Sequence, residues 1–231
     1  MHILLVSATA AEIAPTLDFL EQKFIFDSAS KAFHRNSLQV TPLVTGVGMV
    51  ATTWALAHFF SAHQSIAWAL NAGICGALDS TFKKGNVVHV ISEQFADLGI
   101  EEADGRFTDL FELGLLSPDA PPFSNGELGN IAAEQTSFLP AVRGITVNRV
   151  HGNTHSIERL RTKYPTAQIE SMESAAFFYG CLLENIPFMA IRSVSNYVES
   201  RNRENWDINL AISNLNEVVM EMIKSVGDEI S

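Results

Sequence analysis

Glu12 and Glu173 each stand at the start of a predicted helix, and Asn196 closes a predicted strand. A carboxylate at such a place can take a proton or accept hydrogen bonds from hydroxyl groups. It can equally do no more than complement the helix dipole, and residue type leaves both duties open. Thr45-Gly46-Val47-Gly48 lies between a strand and a helix, where glycine lets backbone approach a ligand. It falls short of a dinucleotide fingerprint, because Ala51 takes the last glycine's place, and no Walker lysine follows. A tight turn explains it as well. Asn71-Ala72-Gly73-Ile74-Cys75-Gly76 reads as a second glycine-rich loop, which lines a site with its amides or merely turns a corner. Met172 by itself would fill an apolar gap. Ile191-Arg192-Ser193-Val194-Ser195-Asn196 ends an apolar strand in polar residues, which turn chemistry does not readily explain. Arg201, Arg203, Trp206 and Asp207 then lead into the last helix.

These residues need elements to hold them. Ile3–Ser7 reads as a strand and Ala11–Gln22 as a helix. Lys23–Val44 reads as several antiparallel strands, Gly48–His63 as a long helix and Ile66–Asn71 as a buried strand. Asn86–Ala96 and Val142–Val147 are β-like, and Ser156–Lys163 is a short helix. Met172–Glu184, Phe188–Ser193 and Glu204–Val226 read as helix, strand and closing helix. Such alternation predicts an α/β fold in one three-layer domain over residues 1–231, with a central mixed, mostly parallel sheet flanked by helices. In these sheets ligands collect beyond the carboxyl ends of the strands, where the segments above fall. Asp104–Asn130 is a long Pro/Gly-rich excursion.

The 231 residues are 47% hydrophobic and 18% charged, a globular composition. A net charge of −11 argues against a broad nucleic-acid footprint, which needs a basic face. It does not exclude a small anion held by a few arginines. Cys75 and Cys181 lack metal-ligand spacing and read as buried, reduced thiols. His2–Val6 opens the chain without a basic region or cleavage site, so no signal peptide and a cytoplasmic location are expected. No Asp, Glu, Lys or Arg occurs from Asn36 to Leu78. His58, Ser61, His63, Gln64 and Ser65 cut that run short of the roughly 20 apolar residues a membrane span needs. A buried helix and a buried strand are expected instead.

Taken together, Glu12, Gly46-Val47-Gly48, Asn71-Ala72-Gly73, Ser171-Met172-Glu173-Ser174-Ala175 and Arg192-Ser193-Val194-Ser195-Asn196 resemble the purine nucleoside phosphorylase / methylthioadenosine nucleosidase superfamily. Order and spacing fit along nearly the whole chain. Phe95-Ala96-Asp97-Leu98-Gly99 with its acidic continuation, and Ser195-Asn196-Tyr197-Val198 followed by Arg201, Arg203, Trp206 and Asp207, resemble the futalosine hydrolases of menaquinone biosynthesis.

The resemblance implies N-glycosidic cleavage of a purine nucleoside through a cation-like sugar. It gives Glu12 the task of activating the attacking water and Glu173 that of holding the ribose hydroxyls, with Met172 against the sugar face. Gly48, Gly73 and Ile74 would line the substrate. Phosphorylases of the superfamily hold phosphate with an arginine near the first loop. Ala8-Thr9-Ala10-Ala11-Glu12 has none, which favours hydrolysis. Asn196 occupies the place where adenine-specific members carry an aspartate. An amide can donate to a 6-oxo group, where an ionised aspartate would repel it. That points to hypoxanthine, released from futalosine, over adenine. An asparagine is no general acid, so the proton for the base is left to solvent. Arg192 steadies the loop of Asn196 or forms a structural salt bridge. Arg106, Arg201 and Arg203 are unranked candidates for the substrate carboxylate, and Asn148–Thr154 could stack on the purine. Relatives have lids or partner subunits, so a homodimer or larger homo-oligomer is expected. No cofactor, metal, nucleic-acid or membrane partner is called for. A nucleosidase for methylthioadenosine or S-adenosylhomocysteine, or a phosphorylase, is the alternative.

Overall fold

Strand β1 (His2–Ser7) turns Leu4 and Val6 to one face and Ile3 and Leu5 to the other, and all four are fully buried. A strand covered on both faces requires helices on both sides. The computed structural model describes residues 1–63, 65–130 and 138–229. Gln64, one of the polar interruptions named above, lies outside them. A 3-10 turn (Ala10–Ile13) and helix α1 (Ala14–Lys23) follow β1. Next come β2 (Ile25–Asp27), β3 (Ala32–Arg35), β4 (Leu38–Val44), α2 (Met49–Ala62), β5 (Trp68–Ala77) and β6 (Val87–Phe95). A hairpin of β7 (Gly99–Glu101) and β8 (Phe107–Asp109) precedes β9 (Leu128–Gly129) and β10 (Ala141–Thr146). The chain continues through α3 (Thr154–Lys163), β11 (Ile169–Ser171), α4 (Ser174–Leu183) and β12 (Phe188–Tyr197) to α5 (Ile208–Glu229).

The central sheet is mixed and runs β11-β10-β6-β12-β5-β1-β4-β3-β2. Parallel pairs join β4 to β1, β1 to β5, and β5 to β12. The other parallel pairs join β6 to β10 and β10 to β11. Antiparallel pairs join β12 to β6, and β2 through β3 to β4. β11 also pairs antiparallel with β5, so five strands close into a ring. Leu4 and Val6 belong to the core that holds Leu56, Phe59 and Phe60 of α2 and Phe177, Phe178 and Cys181 of α4. Ile3 and Leu5 belong to the core that holds Ile13, Leu20 of α1, and Leu215, Val219 and Ile223 of α5. The four-residue spacing in α5 puts those last three on one stripe.

Four expectations change. Glu12 sits in the 3-10 turn, because α1 starts only at Ala14, with a proline in its first turn. The glycine-rich Asn71–Gly76 is not a loop. It is the second half of β5, paired with β12 on one side and, at Gly76, with β11 on the other. β12 likewise runs past Ser193 to Tyr197, with a register shift between Val194 and Asn196, so Asn196 lies within the strand. Finally, α2 is buried on one face only. Thr52, Leu56, Phe59 and Phe60 pack inward, while Val50 is 81% and Trp54 75% exposed. Both cysteines are free and buried, as expected. Among the described residues, no helix is long and apolar enough to cross a membrane.

Gly144 of β10 makes room for a carboxyl group. A Cβ there would lie 2.3 Å from Glu93 Oε1 and 2.8 Å from its Cδ, and Glu93 is wholly buried. Gly144→Ala should therefore destabilise the fold by about 1–3 kcal/mol in chemical denaturation. An unchanged midpoint would mean that Glu93 has space to move.

Candidate active site

Glu12 is held by its own turn. Thr9 N donates to Glu12 Oε2 at 2.9 Å and Thr9 Oγ1 at 2.8 Å, while Glu12 N reaches back to Thr9 Oγ1 at 3.4 Å. This is a capping box, so the helix-start role of the acid is real. The other oxygen, Oε1, accepts from Ile74 N of β5 at 3.2 Å. The approach is possible because Gly73 has no side chain. A Cβ there would lie 3.1 Å from Glu12 Oε1 and 3.6 Å from Arg192 Cζ. The glycine serves close approach within a strand rather than a turn.

Glu173 stands at the first position before α4, in the turn after β11, without its side chain capping that helix, and comes from the far end of the chain. Its Oε1 accepts from Gly48 N at 2.8 Å. Gly48 has φ +92°, which glycine alone adopts easily, and that conformation starts α2 while aiming its amide at the acid. Burial pushes the Glu173 carboxyl up. The Gly48 amide and the Arg192 charge pull it back, and the negative charge of Glu12 raises it further. The two acids are thus electrostatic neighbours. Met172, half-buried, precedes Glu173 in the same turn.

Arg192 forms no salt bridge among the described residues and touches the strand of Asn196 only at Ile191 O. Its guanidinium is 1% exposed and donates to Asn71 O at 3.3 Å, to Ile191 O at 2.9 Å and to Asn71 Oδ1. Asn71 holds it from the neighbouring strand. Arg192 remains a positive charge felt by Glu173 and by Glu93.

Asn196 opens into a cleft beside this centre. The cleft is lined by Gly76, Val150, His151, Glu170, Arg201 and Trp206 among others, but not by Glu12 or Glu173. β5 links the two places. Glu12 meets Ile74, and Asn196 pairs with Gly76, two residues further on. At the strand rise, Gly73 to Gly76 spans roughly 10 Å. Ser195 Oγ donates to Asn196 Oδ1 at 2.9 Å, and Asn196 Nδ2 donates to Tyr197 O at 3.0 Å. Of the three candidate arginines, Arg201 lines the cleft, over the Trp206 ring at 5.9 Å. Arg106 is exposed and engaged by Asp104 at 2.7 Å, and Arg203 is exposed in the turn before α5.

The sequence matches the family described as the phosphorylase superfamily over residues 2–228. The chain belongs to this superfamily. A 5'-methylthioadenosine/S-adenosylhomocysteine nucleosidase of Glaesserella parasuis is 24% identical, covering 97% of this chain and 99% of that protein. A futalosine hydrolase of Streptomyces coelicolor is 32% identical over 154 residues, or 65% of this chain and 62% of that protein. Among solved structures, the Neisseria meningitidis 5'-methylthioadenosine/S-adenosylhomocysteine nucleosidase with methylthio-immucillin-A aligns with a TM-score of 0.74 at 19% identity. That alignment covers 97% of this chain and 99% of the other. The Helicobacter pylori futalosine hydrolase aligns with a TM-score of 0.75 at 15% identity, covering 97% and 98%. These likenesses share the superfamily's fold with the present chain.

Sequence reasoning missed Glu93 of β6. Burial pushes its carboxyl up to about 8, against the opposing Thr146 hydrogen bond and Arg192 charge. Thr146 Oγ1 donates to Glu93 Oε2 at 2.9 Å and accepts from Ala175 N at 2.8 Å, directly behind the Glu173 turn. An acid inside the apolar run of β6 was the available signal. The ordinary value is 4.5. Between there and about 8 the folded chain keeps a proton that the unfolded chain releases, so stability falls as pH rises through that window. Thermal midpoints measured from pH 5 to 9 should fall less steeply for Glu93→Gln than for the wild type. Parallel curves would remove Glu93 from the account.

Proposed function

We propose that this chain is a nucleosidase that hydrolyses the N-glycosidic bond of a purine nucleoside. The observation that carries the reading is that Glu12, seated against Gly73, and Glu173, held by Gly48 N, are close enough for the charge of Glu12 to raise the Glu173 carboxyl, with Asn196 on the strand paired to β5 at Gly76. That spacing suits a sugar at the acids and a base at the amide. Water held by Glu12 loses a proton to it while attacking the sugar carbon. Glu173 accepts from the sugar hydroxyls, and its charge favours the developing cation. Glu12 also supports hydrolysis over phosphorolysis, since a buried carboxylate repels phosphate. Gly48, Gly73, Ile74, Met172 and Arg192 complete the substrate surroundings in this reading.

Futalosine, releasing hypoxanthine, is the substrate proposed. Asn196 supports it, because an amide can donate to a 6-oxo group. The Streptomyces coelicolor relative supports it by its higher identity over a shorter span. The second reading is a methylthioadenosine/S-adenosylhomocysteine nucleosidase, supported by relatives that match almost end to end. A homodimer or larger assembly is part of the proposal. The exposed Val47, Val50 and Trp54, beside Gly48, support it.

Chromatography of futalosine, methylthioadenosine, S-adenosylhomocysteine and inosine, with and without phosphate, separates these readings. Hypoxanthine should form from futalosine with no phosphate present. Faster adenine release would establish the second reading, and a phosphate requirement would establish a phosphorylase. Asn196→Asp should lower the 6-oxopurine to 6-aminopurine ratio of kcat/KM by about ten- to a hundred-fold, as expected when one buried polar pair is mismatched. An unaltered ratio would take base selection away from Asn196.

A further inference from the structure

A base that leaves a sugar takes the bonding electron pair with it and needs a proton. Asn196 has none to give at neutral pH. Directly across the sheet from it stands a pair with no role so far. Gly76 of β5 pairs with Asn196 of β12 on one side and with Glu170 of β11 on the other. Residues in one cross-strand row point to the same face. Asn196 and Glu170 therefore flank a bare glycine, with backbones roughly 10 Å apart at two strand spacings. A side chain at Gly76 would fill the gap, since a Cβ would lie 2.9 Å from Val198 Cγ2 and 3.2 Å from Asn196 Nδ2.

Glu170 is 4% exposed, yet it is not left alone. His151 Nδ1 lies 2.6 Å from Glu170 Oε2, and His151 N donates to Glu170 Oε1 at 3.2 Å. Both oxygens of a buried acid are thus spent on one histidine. A carboxylate on Nδ1 fixes the ring and its orientation. His151 lines the same cleft as Asn196.

We propose that His151, oriented by Glu170, is the proton donor to the departing base. The inference rests on the nucleosidase reading and replaces solvent as the proton source. As the sugar–nitrogen bond breaks, its electron pair passes to the base, and His151 Nε2 gives that base its proton. Water forms the new bond to the sugar carbon and gives its own proton to Glu12. Glu12 then releases its proton to solvent, and His151 regains one from solvent. The other ionisable groups lining the cleft suit the task less well. Tyr197 is a phenol, Arg201 is a guanidinium set over the Trp206 ring, and Glu199 is an exposed acid that accepts from Asn205 Nδ2 at 3.0 Å. These three and Glu170 are the charged or titratable groups that line the cleft with His151.

The test compares two leaving groups in the wild type, His151→Gln and Glu170→Gln. One substrate is the purine nucleoside that the wild type cleaves fastest. The other is 4-nitrophenyl riboside, whose nitrophenolate departs without a proton. His151→Gln should lose about 10²–10³-fold in kcat on the nucleoside, with KM little changed, and keep most of its rate on the nitrophenyl riboside. Glu170→Gln should fall between. A general acid must hold its proton, so wild-type kcat on the nucleoside should decline at high pH, and His151→Gln should abolish that limb. Equal losses on both substrates, or an unchanged pH profile, would reduce His151 to a structural part. Should the wild type spare the nitrophenyl riboside, the pH profile alone decides. If no purine nucleoside is cleaved by the wild type, the nucleosidase reading itself fails, a result distinct from the failure of His151.

Discussion

The antiparallel pairing of β11 with β5, Ile169 against Ala77 and Glu170 against Gly76, closes the ring of strands on which the site is built. Chain connectivity alone would leave residue 12 and residue 173 far apart. Closure brings the turn after β11 against the loop before α2, where Gly48 N reaches Glu173. It also sets Glu170 across from Asn196. Glu12, Glu170, Glu173, Arg192 and Asn196 all lie on strands paired with β5 or in turns that such strands deliver.

Closure has an electrostatic cost. Glu12, Glu93, Glu170 and Arg192 are buried, and Glu173 is half-buried. A lone buried charge is expensive, so each is met by a short-range partner. Backbone amides serve Glu12 and Glu173, a hydroxyl serves Glu93, and an imidazole serves Glu170. Arg192 serves none of them by direct contact in an ion pair. Held by Asn71 and main-chain carbonyls, it lowers the carboxyls of both Glu93 and Glu173 without closing an ion pair on either.

Much of the architecture was legible in the sequence because it depends on local pattern. The alternation in Ile3–Val6 and the four-residue spacing of Leu215, Val219 and Ile223 report one strand and one helix face directly. Glu12, Glu173 and Asn196 were singled out as candidates through ordered motifs spread along the chain. Asn71–Gly76 was misread because glycine usually marks a turn, whereas here two glycines relieve crowding inside a paired strand. The exposed face of α2 was hidden because apolar composition does not say which side is covered. His151 fell within Asn148–Thr154, which the sequence offered for stacking on the purine, but its pairing with Glu170 left no local signal. They are 19 residues apart, and only strand pairing and a loop bring them together.

The capping box at Thr9 has a kinetic meaning as well as a structural one. A carboxylate fastened at one oxygen by its own turn, and at the other by a strand amide, has no freedom to wander. The entropy of aligning it was spent when the chain folded. In the proposed reaction, a water molecule arriving there would meet a base already in place, and little reorganisation would remain for the reaction itself to drive.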